Sequence, residues 1–237
     1  CMHGSGRSQL TWVLETRYVA HRGFAVLAPD LRGHGLAGGA RLTSIGDMAD
    51  WIDSLLASGG VAQAMLVGHS QGVLVALETA SRHPERVAAL TLIAGAMAIP
   101  VNDALIEMSQ SAPEKAFRMM TSWGHGPGAH KFDNTQPGHA FLGYGRRVMA
   151  QNDGAALHAD LVACNSYDGG KDAAASVTQP SLCLLAGKDK MTPVKFGRKM
   201  AEQISGAQCH VFERAGHFLP AEFPIEVNDA MAAFLSR

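Results

Sequence analysis

Short apolar runs punctuate this chain, and the stretches between them repeat their apolar residues every three to four positions. The runs are FAVLAPD from Phe24, AMLVGHS from Ala64, VAALTLIAG from Val87, SLCLLAGKD from Ser181 and QCHVFERAG from Gln208. Each ends in residues that suit a loop. Runs of this length alternating with amphipathic segments predict parallel strands joined by crossover helices. The expected fold class is therefore α/β, a mostly parallel sheet flanked by helices.

The intervening segments carry helix signatures. Ile45, Met48, Trp51, Ile52, Leu55 and Leu56 fall on one helical face, with Ser44 and Asp47 spaced as a capping pair. Thr192 and Pro193 read as N-cap and first helical residue, with Phe196, Met200 and Ile204 repeating after them. A last helix is expected near Pro224, with Val227, Met231, Phe234 and Leu235 inward. Residues 98–180 break the rhythm, having no clear strand but helical pieces such as APEKAFRMMTSW. An insertion that long between strands predicts a helical lid. The expected organisation is one domain with a core at 1–97 and 181–237 and a lid at 98–180.

Ser70 stands in Gly68-His69-Ser70-Gln71-Gly72, where an apolar strand gives way to a helix. That placement predicts a tight strand-to-helix turn with the hydroxyl raised above the sheet. Serine is a poor nucleophile until an imidazole accepts its proton and an acid orients that imidazole. His217 follows one strand run and Asp189 another, with Asp172 the alternative acid. Parallel strands end on one side of a sheet, so Ser70, Asp189 and His217 are expected at one carboxyl edge. The oxyanion formed on attack needs preorganised donors. Gln71 N–H is one candidate and Ser5 N–H, after His3-Gly4, the other, with Gly6 in reserve.

The charge balance, 20 basic against 21 acidic residues, gives no field to attract nucleic acid or an anionic membrane. The four cysteines, Cys1, Cys164, Cys183 and Cys209, show no paired spacing and are expected to be reduced and buried. No signal-peptide pattern or spanning apolar run is present, so a soluble cytoplasmic protein is expected. The lid histidines His125, His130, His139 and His158 lack ligand spacing, and neither metal nor cofactor is expected.

Together, HGSG at 3–6 with Trp12 following, DLRGHG at 30–35, GHSQG at 68–72, GKDKMTP at 187–193 and AGHF at 215–218 resemble the α/β-hydrolase superfamily. The resemblance spans nearly the whole chain. It implies a lid inserted after the strand ending near Gly95 and hydrolysis of a carboxylic ester or related acyl bond through an acyl-enzyme on Ser70. Family members acting on carbon-halogen bonds or epoxides usually carry aspartate at this position, so serine argues against both. The chain departs from the family in meeting its HG motif at residue 3, where two or three strands normally come first; residues upstream of Cys1 are expected.

Met97 and Ile99, just past a strand end, and Trp123 in the lid are expected to face a small or medium apolar ester. Phe132, Phe141, Leu142 and Tyr144 are explained equally by lid packing. Asp30, Arg32 and His34 are read as holding their own loop, and His69 as packing under the serine turn. The same three catalytic groups also suit a lactonase, thioesterase or carbon-carbon bond hydrolase, and a hydrolase-like fold can serve as a small-molecule receptor.

Overall fold

The computed structural model describes residues 1–132 and 140–236. A 3-10 turn at Gln9–Trp12 leads into helix α1 (Val13–Ala20), followed by α2 (Ile45–Ser58), strand β1 (Ala64–His69), α3 (Gln71–Arg82) and β2 (Val87–Ile93). Six helices come next: α4 (Asp103–Ser111), α5 (Pro113–Gly124), α6 (Pro127–Phe132), α7 (Phe141–Met149), α8 (Gly154–Ser166) and α9 (Gly170–Ser176). Then follow β3 (Ser181–Ala186), α10 (Val194–Gln203), β4 (Gln208–Phe212), α11 (Leu219–Glu222) and α12 (Pro224–Leu235).

The strands form one parallel sheet in the order β1-β2-β3-β4. Both faces are covered, which is why these strands read as continuous apolar runs rather than alternating ones. Leu90, Leu92, Cys183 and Leu185 point into a core shared with α2, α3, α9 and α10. Their neighbours Ile93, Leu182 and Leu184 point the opposite way, toward Trp12, Leu219, Val227 and Met231. Truncating a fully buried residue such as Leu92 to alanine removes about 2–5 kcal/mol from such a core. Helix α2 begins where its sequence says it should: the Ser44 hydroxyl accepts the Asp47 N–H at 3.0 Å, a cap of about 1 kcal/mol.

Some expectations fail, each for a local reason. Phe24–Asp30 forms no strand, and the Cys1 amine donates to Leu27 O at 2.7 Å without a ladder following. Met2 instead bridges to Gly68 on the outer side of β1. Thr192 does not cap α10, whose preceding residue is Pro193, because its hydroxyl lies 2.8 Å from Asp189 Oδ2 and 2.9 Å from Ala94 O. Phe196 is turned away from the core that holds Met200 and Ile204 and borders a cavity. Of the cysteines, Cys164 and Cys183 are buried, but Cys209 on β4 at the end of the sheet is exposed and Cys1 half-buried; all are free.

Between β2 and β3, α4, α5 and α8 build a separate apolar cluster from Ala116, Phe117, Met120, Leu157 and Leu161, joined by Met149 of α7. Helix α9 behaves differently, since Ala173 and Ala174 join the core beside α3. Among the described residues no helix is long and apolar enough to cross a membrane.

Candidate active site

Strand β1 delivers Ser70 at its carboxyl end, and α3 starts at the next residue. The turn between them is so tight that Ser70 adopts φ 57° and ψ −119°, a conformation that costs an L-residue about 1–3 kcal/mol. The backbone is clamped there: Ser70 N–H donates to Ile93 O at 3.1 Å, and Ser70 O accepts Val73 N–H at 2.9 Å. The flanking glycines follow from the same crowding. A Cβ on Gly68 would collide with the Gly72 carbonyl, and one on Gly72 with the Met2 carbonyl.

Asp189 lies in the loop after β3, and His217 in the loop after β4. His217 Nδ1 meets Asp189 Oδ2 at 2.8 Å, and both side chains are buried. Asp189 Oδ1 accepts the N–H groups of Met191 at 2.8 Å and Thr192 at 2.9 Å. With the carboxylate accepting, Nδ1 carries the proton and Nε2 is left as the acceptor. Asp172, the alternative acid, sits in α9 and has no part in this arrangement.

The loop of His217 is pinned from the helical side. His217 N–H donates to Gly124 O, at the end of α5, at 2.6 Å. Glu222 Oε2 accepts Gly216 N–H at 3.1 Å and Gly126 N–H at 2.9 Å. His69 lies beneath, as expected, with Nε2 at 2.8 Å from His217 O. Burial, then the charge of His217, lowers the His69 pKa well below its ordinary value, so its ring stays neutral.

Ser70 and His217 border one cavity of about 930 Å³. Among the described residues, no hydrogen bond joins Ser70 Oγ to His217 Nε2 or to any other partner. Ser5 also borders the cavity, and the N–H groups of Ser5 and Gln71 make no hydrogen bond to a described residue. Gly6 N–H, the reserve donor, is taken by Asp160 Oδ2 at 2.7 Å.

Ile99 and Trp123 border the cavity. Met97 does not; it packs against the core, with its carbonyl close to Gly170. Ala96 and Ala98 border the cavity, and the chain bends at Met97 between them. Tyr144 reaches away to Leu10 O at 2.6 Å, and Phe141 packs on His125. His125, His130 and His158 each hold a carbonyl or hydroxyl oxygen. His139 and the Phe132 side chain lie outside the described residues.

Asp160 of α8 was not singled out by the sequence. Completely buried, it receives Gly6 N–H, Gln71 Nε2 at 3.2 Å and His34 Nε2 at 2.9 Å. Burial alone would raise its carboxyl, but His34 and the donated hydrogen bonds hold it below the usual range. His34, which burial alone would lower, is raised by the same contact. His34 therefore reaches beyond its own loop. Asp30 does hold that loop, accepting Gln9 N–H at 2.6 Å and Leu36 N–H at 2.9 Å. On the loop's other side Asn152 Nδ2 donates to Gly6 O and Arg7 O, both at 2.9 Å.

A parallel α/β sheet with a turn-borne serine and a buried His–Asp pair at its carboxyl edge is the architecture of an α/β hydrolase. Residues 1–230 match the alpha/beta hydrolase family, and the chain belongs to it. It is 28% identical, over its full length, to the dihydrolipoyllysine-residue acetyltransferase component of the acetoin cleaving system of Pseudomonas putida, of which it spans 62%. It is 29% identical over 81% of its length to the pimeloyl-(acyl-carrier protein) methyl ester esterase of Neisseria meningitidis, covering 75% of that protein. The crystal structure of the enol-lactonase from Burkholderia xenovorans superposes with a TM-score of 0.89 at 20% identity, covering 100% of this chain and 90% of that one.

Proposed function

We propose that this protein is a serine hydrolase that cleaves a small or medium, largely apolar carboxylic ester through an acyl-enzyme on Ser70. The observation that carries the reading is the oriented His217–Asp189 pair sharing a cavity with a serine on a strained turn. Ser70 Oγ attacks the ester carbonyl while His217 Nε2 accepts its proton; Asp189 keeps the proton on Nδ1 and stabilises the imidazolium. The developing oxyanion receives the N–H groups of Ser5 and Gln71, each contributing about 3 kcal/mol to lowering the barrier. His217 then protonates the departing alcohol, and water attacks the acyl-enzyme by the reverse relay. The serine–imidazole hydrogen bond must form when substrate binds, as catalytic hydrogen bonds commonly tighten in the Michaelis complex.

Helices α4–α8, within the 98–180 insertion, act as a lid that supplies much of the apolar cavity wall. Ester cleavage is further supported by the methyl ester esterase among the relatives. The free thiols suit a reducing compartment, and we place the protein in the cytoplasm. The test is hydrolysis of short p-nitrophenyl esters by the wild type and by Ser70→Ala. Turnover should vanish in the variant; equal rates in the two would reject the proposal.

A further inference from the structure

Arg7 follows the loop that carries Ser5 and borders the same cavity, yet it is only 3% exposed. Its guanidinium lies over the Phe218 ring, 4.5 Å from the centroid, and its Nε donates to Thr11 Oγ1 at 3.0 Å. Nη1 is buried with no hydrogen-bond partner. No ion pair among the described residues includes Arg7. Burial pulls its pKa down to about 10, which still leaves it charged at neutral pH. Tyr144 lies within the field of both Arg7 and the buried carboxyl of Glu15. Glu15 offers no compensation, because burial lifts its pKa to about 8 and keeps it neutral.

The cavity wall sharpens the contrast. Among its described residues none is Asp or Glu, and Lys190, at an exposed position, is the other lysine or arginine. A buried cation without a counter-ion is unfavourable, and leaving its donors unpaired adds to the penalty. A ligand in the cavity that carried a negative charge to the guanidinium would supply the missing counter-ion. The planar guanidinium fork matches a planar carboxylate.

We propose that Arg7 anchors a carboxylate of the substrate, so that the preferred substrate is a half-ester: an apolar chain with a free carboxylate at one end and the scissile ester at Ser70. This rests on the esterase reading and names the substrate class for it. Arg7 binds and orients; it takes no proton and forms no bond.

The test compares p-nitrophenyl pentanoate with mono-p-nitrophenyl glutarate, which have the same acyl length and differ in a terminal methyl or carboxylate. Wild type should favour the glutarate half-ester in kcat/KM by at least about tenfold. Arg7→Met should abolish or invert that ratio, mainly through KM for the half-ester, and Arg7→Lys should retain part of it. A wild-type ratio at or below one, or a ratio unchanged in Arg7→Met, would overturn the proposal. If Arg7→Met does not fold, the wild-type ratio and Arg7→Lys still decide. Calorimetric titration of glutarate into Ser70→Ala separates this proposal from the esterase reading. Binding there that Arg7→Met/Ser70→Ala loses keeps the anchor even if no ester turns over, and no binding removes it even if neutral esters do.

Discussion

Among the described residues two buried imidazole–carboxylate pairs stand out, His217–Asp189 at 2.8 Å and His34–Asp160 at 2.9 Å, and of these four residues His217 alone borders the cavity. Asp189 is held by N–H groups of its own loop and spends its second oxygen on His217, whose other ring nitrogen is left for chemistry. Asp160 spends its oxygens on the loop of Ser5, the side chain of Gln71 and His34, so it ties the helical region to both candidate oxyanion donors. The same two residue types thus do different work, and what separates them is which atom remains unsatisfied at the cavity. A buried His–Asp contact alone does not mark a catalytic pair.

Breaking each pair should separate the roles. Asp189→Asn should lower kcat by about 10⁴-fold, by favouring the wrong His217 tautomer, with the fold kept; steady-state kinetics with circular dichroism check this. Asp160→Asn should act first on stability, removing about 3 kcal/mol by leaving a buried partner uncompensated, seen as a lower midpoint in urea. It should also reduce kcat more than it raises KM, because one carboxylate oxygen becomes an amide NH2 and either Gly6 or Gln71 loses its acceptor. If Asp160→Asn leaves stability untouched, the strut role is wrong.

A third buried carboxyl extends the contrast. Asp160, with His34 and two further donors on its oxygens, is held below the usual carboxylate range, whereas Glu15, whose oxygens find no partner among the described residues, is pushed up to about 8. In the window between the unfolded value of 4.5 and about 8, the native state keeps a proton that the unfolded chain releases. Stability from Glu15 therefore falls as pH rises, by up to about 1.4 kcal/mol per pH unit. Buried neutral histidines such as His3, lowered to about 4, produce the opposite slope, but only below 6.5. Glu15→Gln should raise the Tm at pH 8.5 and change it little at pH 5. The smallest effect is expected at the cavity wall. Ile99→Ala should shift acyl-length preference by about threefold to tenfold, whereas Met97→Ala should change stability and leave that preference alone.

Much of this was legible because strand ends announce themselves. Ser70, Asp189 and His217 each follow an apolar run, and a parallel sheet brings such ends to one edge without further information. Asp160 gave no signal. Apolar residues surround α8 rather than lining one face, so its position over the Ser5 loop follows from tertiary packing. Phe24–Asp30 has strand composition, but a strand exists only with a partner. Met97 was misassigned because distance past a strand end does not fix side-chain direction, and Thr192 because a hydroxyl with cap spacing found a carboxylate instead. The separateness of Arg7 from any counter-ion among the described residues is a property of the folded cavity.

The most direct test is to treat the folded protein with an organophosphonate or sulfonyl fluoride and locate the adduct by mass spectrometry. The account predicts one stoichiometric adduct on the peptide carrying Ser70, absent from Ser70→Ala. A folded protein that takes up no label, or takes it up elsewhere with Ser70 unmodified, would contradict it.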